Sequence, residues 1–406
     1  MGFREFGKPT QVLATADGVP VYVNEFWTSR QRAAHSLHEI SYRACFKPQL
    51  PRFFIERLTQ KGDCVMDPFM GRGTTLLEAA LLGRVPVGSD INPLSLMMAE
   101  PRLNPPDFSA VVERLQEIPL DADGEAPEDL LVFYHEETLK EIAALREYFL
   151  KRVSDGQLDR VDAWIRMVAL NRLTGHSPGF FSVYTLPPNQ ATSVVAQLKI
   201  NEKRGQLPPR RDVRAILLKK SRHLMSELTS MERENLSRVA GDARCLVAPA
   251  SDLSGFSDGS AKLVVTSPPF LDVVNYAKDN WLRCWFAGID VERIAFTVPR
   301  KLEAWISSMI EALREMNRVL AADGWVAFEV GEVRKGKVLL EESVIEAGKR
   351  AGLQPELVLI NSQIFTKTAN CWGVGNNALG TNTNRIVLFR KAPPAGGGLR
   401  AASRVG

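Results

Sequence analysis

Short apolar runs and helical spacings alternate in two parts of the chain. In the first part, about residues 47–100, a strand ending at Met66 runs into a glycine-rich loop. A helix is predicted over 76–82, and a second short strand follows over 85–88. Because strand, loop, helix and strand in this order form a parallel βαβ unit, the pattern predicts an α/β fold.

The alternation of short apolar runs and helical spacings returns after Ser237. The pattern predicts strands and helices in turn, with strands over 261–265, 325–330, 357–360 and 386–389, and helices over 302–320 and 339–351. We therefore expect one Rossmann-like, mostly parallel sheet whose strands come from both parts of the chain.

Residues 104–235 carry few strand signals. Helical spacing of apolar residues recurs over 128–152 and 160–172, and Asp212 after a Pro-Pro pair predicts the N-cap of a further helix. The expected organisation is an N-terminal segment with the first part of the sheet domain, a mostly helical insertion, the second part of the sheet domain and a disordered tail (1–103, 104–235, 236–391 and 392–406).

Composition places the chain among globular cytoplasmic proteins. The 406 residues include no run approaching the ~18 apolar residues of a membrane span, and residues 1–10 lack the apolar core of a signal peptide. The five cysteines are scattered, without C-x-x-C spacing, and the five histidines show no metal-ligand spacing. We expect no metal, no membrane association and a reducing compartment.

Charge is distributed unevenly. The net charge is only +4, yet residues 151–225 hold 14 Lys or Arg against 5 Asp or Glu. A local cationic block is typical of a polyanion-binding surface, and a solvated helix surface is the alternative. The candidate phosphate-contacting residues are Lys203, Arg204, Arg210, Arg211, Arg214, Lys219 and Lys220.

A glycine loop follows the first strand, over 67–75. Gly71 and Gly73 let a ligand approach the backbone without a Cβ in the way, and Asp90 follows Gly71 by 19 residues, a spacing at which an acid reaches a ribose. The loop is G-x-G-T-T and lacks the third glycine or Gly-Lys of nucleotide loops. Asp67 would repel phosphate and attract a sulfonium or ammonium group, which favours a cationic adenosyl ligand; a purely structural turn is the alternative.

A second motif, Thr266-Ser267-Pro268-Pro269-Phe270, ends the strand at 261–265. Two prolines fix two φ angles and donate no backbone hydrogen bonds, so they hold the neighbouring carbonyls and the Ser267 hydroxyl rigidly. With the flat face of Phe270, these oxygens could clamp a planar group that bears an exocyclic amine. The same letters also occur in ordinary loops, so the motif gains weight only beside the glycine loop.

Together these motifs resemble those of the S-adenosylmethionine-dependent DNA amino-methyltransferases. Residues 67–75 resemble the D-P-F-x-G-x-G-T-T cofactor motif, and residues 266–270 resemble the catalytic motif in its serine form. The resemblance implies S-adenosylmethionine as cofactor and a methyltransferase domain with a Rossmann-like sheet. It covers about 47–100 and 237–391, and more loosely 28–46.

The resemblance also implies roles for single residues. The cofactor would be held by Phe46, Lys47, Asp67, Pro68, Phe69, Gly71, Gly73, Thr74, Asp90, Asn92 and Asp242. Among these, Asp90 would hold the ribose and Asp242 the adenine amine, whereas Phe46 and Lys47 would close over the methionine moiety. The catalytic group would comprise Ser267, Pro268, Pro269 and Phe270.

The serine form of the motif usually accompanies methylation of cytosine at N4. Hydrogen bonds from the amine to Ser267 and to the Pro268 carbonyl would free the nitrogen lone pair, and the base would have to leave the duplex. Adenine-N6 methylation, RNA methylation and a non-catalytic nucleic-acid-binding module remain the alternatives. The expected partner is double-stranded DNA, and a cognate restriction endonuclease is a candidate partner; the oligomeric state is not predicted.

Overall fold

The structure of the chain is a computed structural model. It describes residues 9–27, 34–43, 45–122, 124–185, 191–269, 276–294, 299, 301–331, 340–362 and 383–392. Phe270 and residues 393–406 of the tail expected to be disordered lie outside the described residues.

One sheet organises the molecule. The strands in the described residues are β1 (Gln11–Ala14), β2 (Pro20–Asn24), β3 (Cys64–Asp67), β4 (Val85–Asp90), β5 (Arg244–Val247), β6 (Ala261–Thr266), β7 (Leu320–Val330), β8 (Leu353–Ser362) and β9 (Thr383–Lys391). They lie in the order β1-β2-β8-β9-β7-β6-β3-β4-β5. The five strands from β7 to β5 run parallel, and β9 is antiparallel to both of its neighbours. The predicted α/β fold with a mostly parallel sheet is confirmed.

Twelve α-helices occupy the described residues: α1 (Gln49–Leu58), α2 (Thr74–Leu81), α3 (Pro93–Leu103), α4 (Phe108–Glu117), α5 (Glu136–Ser154), α6 (Arg160–Leu170), α7 (Val194–Arg204), α8 (Val213–Leu224), α9 (Ser230–Val239), α10 (Tyr276–Ala287), α11 (Leu302–Val319) and α12 (Leu340–Arg350). The Asp212 side chain accepts from the amide of Ala215, which confirms the predicted N-cap of α8. No helix in the described part of the chain has the length and apolarity of a membrane span.

The two faces of the sheet bury alternate residues of each central strand. Val65 of β3 and Leu263 of β6 pack with α1 on one face, whereas Met66 and Val264 pack with α11 and α12 on the other. This period of two follows from the pleat of a strand. The central strands are continuous apolar runs in the sequence because helices cover both faces of the parallel sheet.

The helices α4 to α9 lie between β4 and β5 in the chain, where the sequence predicts a helical insertion. They do not bury a core of their own. Trp164 of α6 and Ile142 of α5 share one hydrophobic cluster with Leu77 of α2 and Met98 of α3. The helical layer is therefore continuous with the sheet domain, and no core boundary separates the two near residue 103.

An N-terminal hairpin extends the sheet beyond β8. Strand β2 pairs in parallel with β8, and β1 pairs antiparallel with β2. The buried Asn361 side chain accepts from the backbone amides of Phe26 and Trp27, which ties the end of the hairpin to β8. These strands are absent from the sequence prediction because a contact across 335 positions fixes them.

Candidate active site

A cavity of about 270 Å³ opens at the carboxyl ends of the central parallel strands. Gly71, after β3, and Ser267, after β6, both line it. Because β3 and β6 are neighbours in the sheet, their carboxyl ends bring the two sequence motifs to one place. The expected site residues in its wall are Phe46, Asp67, Pro68, Phe69, Gly71, Thr74, Asp90, Asn92, Ser267 and Pro269.

The two glycines of the loop have different surroundings. Both have positive φ, +50° at Gly71 and +74° at Gly73. A Cβ at Gly71 would lie 3.7 Å from Cys45 Sγ and from the Tyr42 ring, inside the cavity wall. A Cβ at Gly73 would lie 2.6 Å from the Cβ of Ala99. Gly73 therefore allows close packing of α2 on α3, and it is not a lining residue as the sequence predicts.

Asp90 ends β4 and holds the loop in shape. One carboxylate oxygen accepts from the Gly71 amide at 2.8 Å, and the other accepts from the Asn92 amide at 2.9 Å. Burial raises the pKa of this carboxyl, and the two amide donors oppose that shift. Asn92 caps α3, and its amide nitrogen donates to Tyr42 Oη. The predicted ribose acid thus lines the cavity with both oxygens already anchored by the backbone.

Asp67 is the most buried acid of the cavity wall, with 1% of its surface exposed. Its Oδ1 accepts from Thr266 Oγ1 at 2.6 Å and from the Phe69 amide at 3.1 Å. Burial raises its pKa to about 7, and both hydrogen bonds oppose this shift. A cation in the cavity would favour the carboxylate form.

The segment before α1 covers the glycine loop. Arg72 donates to the carbonyls of His38 and Ile40, and Tyr42, Cys45 and Phe46 continue the segment along the cavity wall. Lys47, expected to contact a cofactor, is not a lining residue, and burial lowers its pKa.

The candidate catalytic motif is held from the face of the sheet that α11 covers. The indole nitrogen of Trp305 on α11 donates to the Pro269 carbonyl at 3.0 Å. Pro268 is buried and does not line the cavity. Phe270 lies outside the described residues, so its stacking role stays a prediction.

A buried acid contacts the candidate catalytic serine. Ser267 Oγ donates to Oε2 of Glu329 on β7, and Asn384 Nδ2 on β9 donates to the other oxygen, Oε1, at 2.9 Å. Glu329 is 6% exposed, and burial raises its pKa against the two hydrogen bonds. Neither sequence motif includes Glu329, although an acid within the apolar run over 325–330 is a signal that could have identified it.

The expectation for Asp242 is wrong. Asp242 is exposed and precedes β5, at the amino end of the strand, because β5 begins only at Arg244. The cavity lies at the carboxyl end, where Pro249, Ala250 and Ser251 line it. The apolar residues at 239–240 resemble the end of a strand before Asp242 in the sequence. They belong instead to the end of α9 and its C-cap.

Two of the expected DNA-contacting cations are held within the helical layer by contacts with the protein itself. The Arg214 guanidinium donates to the carbonyls of Leu115 and Ile118 and so caps the end of α4. Lys220 has 11% of its side chain exposed, and burial together with Arg172 lowers its pKa to about 8. Neither side chain presents a free charge on the surface.

The other expected cations differ in exposure. Lys203, Arg204 and Lys219 are exposed, and Arg204 lies over the ring of Tyr184 at 3.8 Å. Arg210 is exposed but pairs with Glu141, and the half-buried Arg211 is held through its backbone by Thr138. Within the described residues, no group of three or more His, Cys, Asp or Glu could hold a metal ion.

Comparison with known proteins identifies the first part of the sheet domain. A family model described as DNA methylase matches residues 12–100, which include the glycine loop and Asp90. This part of the chain therefore resembles the DNA methylase family.

Curated relatives extend the likeness. The chain is 33% identical over 123 residues to the type II methyltransferase M.MjaII of Methanocaldococcus jannaschii, covering 30% of this chain and 22% of that protein. It is 31% identical over 149 residues to M.MvaI of Kocuria varians, covering 36% and 29%, and 23% identical over 281 residues to M.BsoBI of Geobacillus stearothermophilus, covering 64% and 54%. The matches thus span between about a fifth and about half of the length of these relatives.

Solved structures give a looser likeness. TrmN from Thermus thermophilus is 13% identical, with 88% of this chain and 52% of that chain covered and a TM-score of 0.34. The rRNA methyltransferase aviRa from Streptomyces viridochromogenes is 15% identical, with 87% and 89% covered and a TM-score of 0.34. Both TM-scores are low, so the structural likeness assigns no function.

The cavity fits S-adenosylmethionine, the cofactor that the two sequence motifs imply. Asp67 offers a buried carboxylate to a sulfonium cation, and Asp90 offers carboxylate oxygens to hydroxyl groups. The wall at Gly71 would be filled by a Cβ, as expected where a ligand approaches the backbone closely.

Proposed function

We propose that the chain is an S-adenosylmethionine-dependent DNA methyltransferase that methylates the exocyclic N4 of cytosine in a base flipped out of the duplex. The observation that carries the proposal is the shared cavity of Gly71 and Ser267. It brings together a wall suited to a sulfonium ligand and a motif suited to an amine, the two reactants of a methyl transfer.

The chemistry demands alignment more than it demands a nucleophilic side chain. S-adenosylmethionine supplies a methyl group activated by a sulfonium. The residues around it must place the amine in line with that methyl group and exclude water. Trp305 and the two prolines fix the backbone of the catalytic motif, so the Ser267 hydroxyl has a defined position at the cavity wall.

The amine of cytosine is a weak nucleophile because its lone pair is delocalised into the ring. In the proposed complex, Ser267 Oγ in the cavity wall accepts a hydrogen bond from the amine and favours tetrahedral geometry at the nitrogen. The Pro268 carbonyl is the second acceptor that the motif implies, although Pro268 itself does not line the cavity. Phe270 stacks on the base. Cytosine is favoured over adenine because a hydroxyl stands where the adenine-N6 form of the motif carries Asp or Asn.

We place double-stranded DNA against the helical layer. Among the cations that the sequence singles out, Lys203, Arg204 and Lys219 are exposed, and we propose them for phosphate contacts. A chain of contacts links this layer to the cavity: Arg43 in the wall pairs with Asp279, whose carbonyl accepts from the Ala191 amide just before α7. A cognate restriction endonuclease and a cytoplasmic location remain predictions.

The test is a methylation assay in which the product nucleoside is identified. The protein is incubated with radiolabelled S-adenosylmethionine and mixed-sequence duplex DNA, the DNA is digested, and the nucleosides are separated. We expect the label in N4-methylcytosine. Ser267→Ala is the matched variant, and we expect its turnover to fall by roughly 10²-fold because the variant lacks one hydrogen bond to the transition state.

Other products would identify the alternatives. Label in N6-methyladenine would identify adenine as the target base. Label only in an added structured RNA would identify RNA as the substrate polymer. S-adenosylmethionine binding without transfer to either polymer would contradict the enzymatic function.

A further inference from the structure

We propose that Glu329 is a positioning residue that directs the Ser267 hydroxyl toward the target amine and accepts, through Ser267, the proton that methylation releases. The inference rests on the proposed methyltransferase function. It assigns a role to a buried acid that neither sequence motif contains.

The sheet register places the two side chains side by side. Thr266 of β6 is paired with Phe328 of β7, so the next residues, Ser267 and Glu329, are neighbours across parallel strands. Asn384 of β9 lies near the same point, because Glu329 is paired with Ile386 two residues further along. Alternation of the pleat puts Glu329 and Asn384 on the face that carries Ala327 and Ile386.

The hydrogen bond to Glu329 fixes the direction in which the Ser267 hydroxyl donates its hydrogen. Glu329 Oε2 accepts the Ser267 hydroxyl hydrogen, so the lone pairs of Oγ stay free to accept from another donor. A primary amine is such a donor. Without Glu329 the hydroxyl could rotate and offer its hydrogen to the amine nitrogen, which would occupy the lone pair that must attack.

The same contact provides a route for the released proton. As the nitrogen–carbon bond forms, the carbon–sulfur bond breaks and its electron pair stays on sulfur. The methylated amine must then lose one proton. In this route it passes to Ser267 Oγ while the serine hydrogen passes to Glu329, which leaves a neutral methylamine, a neutral serine and a protonated carboxyl.

Asn384 makes an isosteric variant informative. Its Nδ2 donates to Glu329 Oε1, and in Glu329→Gln this bond would keep the amide oxygen on the Asn384 side. The amide nitrogen would then face Ser267 as a donor. The serine would have to accept from it and turn its own hydrogen toward the cavity, which reverses the polarity that the amine needs.

A double-mutant cycle in the full chain tests the coupling. Single-turnover and steady-state rates of methyl transfer are measured for wild type, Ser267→Ala, Glu329→Gln and the double variant. We expect each single variant to lose roughly 10²-fold in kcat, and the double variant to lose no more than Ser267→Ala alone, because Glu329 acts through Ser267. The KM for DNA and the Kd for S-adenosylhomocysteine should stay within about threefold, since the contact acts on the reacting amine.

Losses that multiply to roughly 10⁴-fold in the double variant would overturn the proposal, because they would show independent roles. A Glu329→Gln enzyme with wild-type kcat would overturn it as well. Glu341→Gln is the control: Glu341 is equally buried on α12 but pairs with Arg385, and its loss should lower stability and leave kcat unchanged.

A second readout is independent of turnover. The carboxyl of Glu329 is titrated by carbon-13 NMR in wild type and Ser267→Ala. We expect its pKa to rise in the variant because the variant lacks the donated hydrogen bond that stabilises the carboxylate. An unchanged pKa would overturn the contact itself, whereas a wild-type protein that methylates no DNA but shows the shift would overturn only the proposed function.

Discussion

Asp67 and Asp90 both line the cavity, but their carboxylates have different surroundings. Both oxygens of Asp90 accept from backbone amides of a fixed loop, so this carboxylate is held by the fold. Asp67 has one hydroxyl and one amide donor on a single oxygen, and its pKa rises to about 7. A group with such a pKa changes charge near neutral pH, so Asp67 can respond to the charge of the ligand.

Asp67 predicts a pH dependence of cofactor binding. Above pH 7 Asp67 is ionised and attracts a sulfonium, and below pH 7 it becomes neutral and that attraction disappears. We expect the Kd for S-adenosylmethionine to fall by roughly three- to tenfold between pH 6 and pH 8, measured by calorimetry.

S-adenosylhomocysteine is the matched ligand for this prediction because it lacks the sulfonium charge. Its Kd should change less over the same pH range, and Asp67→Asn should remove the difference between the two ligands. Equal slopes for both ligands with the wild-type protein would contradict a role for Asp67 in sensing the charge.

Single residues were predictable where a motif fixes both residue type and place. Gly71, Asp90 and Ser267 line the cavity because each directly follows or ends a strand that the sequence shows. Asp242 was misplaced because its position depends on where β5 begins. Glu329 was missed because its contact with Ser267 depends on which strand lies beside β6. Strand neighbours are set by tertiary pairing, which no local pattern contains.

At the scale of elements, the contact between α2 and α3 explains the second glycine of the loop. A Cβ at Gly73 would lie 2.6 Å from Ala99 Cβ, at a positive φ that side chains rarely adopt. We expect Gly73→Ala to lower the free energy of unfolding by about 2 to 4 kcal/mol, measured by urea denaturation, through backbone strain and overpacking together.

Two other glycines separate these causes. Gly18 has a positive φ with no atom within 4 Å of a built Cβ, so Gly18→Ala should show the backbone cost alone, about 1 kcal/mol. Gly71→Ala should act mainly on the Kd for the cofactor, because its Cβ would enter the cavity wall. If Gly73→Ala were no more destabilising than Gly18→Ala, the packing explanation would be wrong.

The cations of the helical layer differ in their exposure and contacts. Those at the end of α7 are exposed, whereas Arg214 on α8 caps α4. We expect Lys203→Gln with Arg204→Gln to weaken duplex binding and to lower the slope of log K against log salt by about 0.9 for each phosphate that is no longer neutralised. Fluorescence anisotropy at several salt concentrations measures both effects.

Arg214→Gln serves as the comparison within the same layer. It should lower the thermal stability and leave the salt slope of the folded protein unchanged, because its guanidinium contacts backbone carbonyls. Arg350→Gln, at an exposed position at the end of α12, is the control for net charge. A salt slope that falls equally in all three variants would speak for general charge and against a site at α7.

At the scale of the whole molecule, the sequence shows the order of elements but not which ones share a core. Apolar spacing indicates helices between residues 104 and 235, and the structure contains them. That spacing cannot show that Trp164 and Leu77 lie in one cluster, because it records only which face of each helix is apolar. The same limit hides the hairpin of β1 and β2.

The shared core predicts that the helical layer and the sheet unfold together. Trp164 of α6 and Leu77 of α2 are both fully buried in one cluster, so neither region can keep its apolar surface covered without the other. We expect one thermal transition, with the same midpoint by tryptophan fluorescence and by circular dichroism. Trp164→Ala should lower both midpoints by equal amounts, because a cavity in a common core weakens the whole unit. We propose that S-adenosylhomocysteine binds in the cavity of the sheet domain, and we expect it to raise both midpoints together. Two separated transitions, with only one of them shifted by the ligand, would show that the helical layer folds as an independent domain.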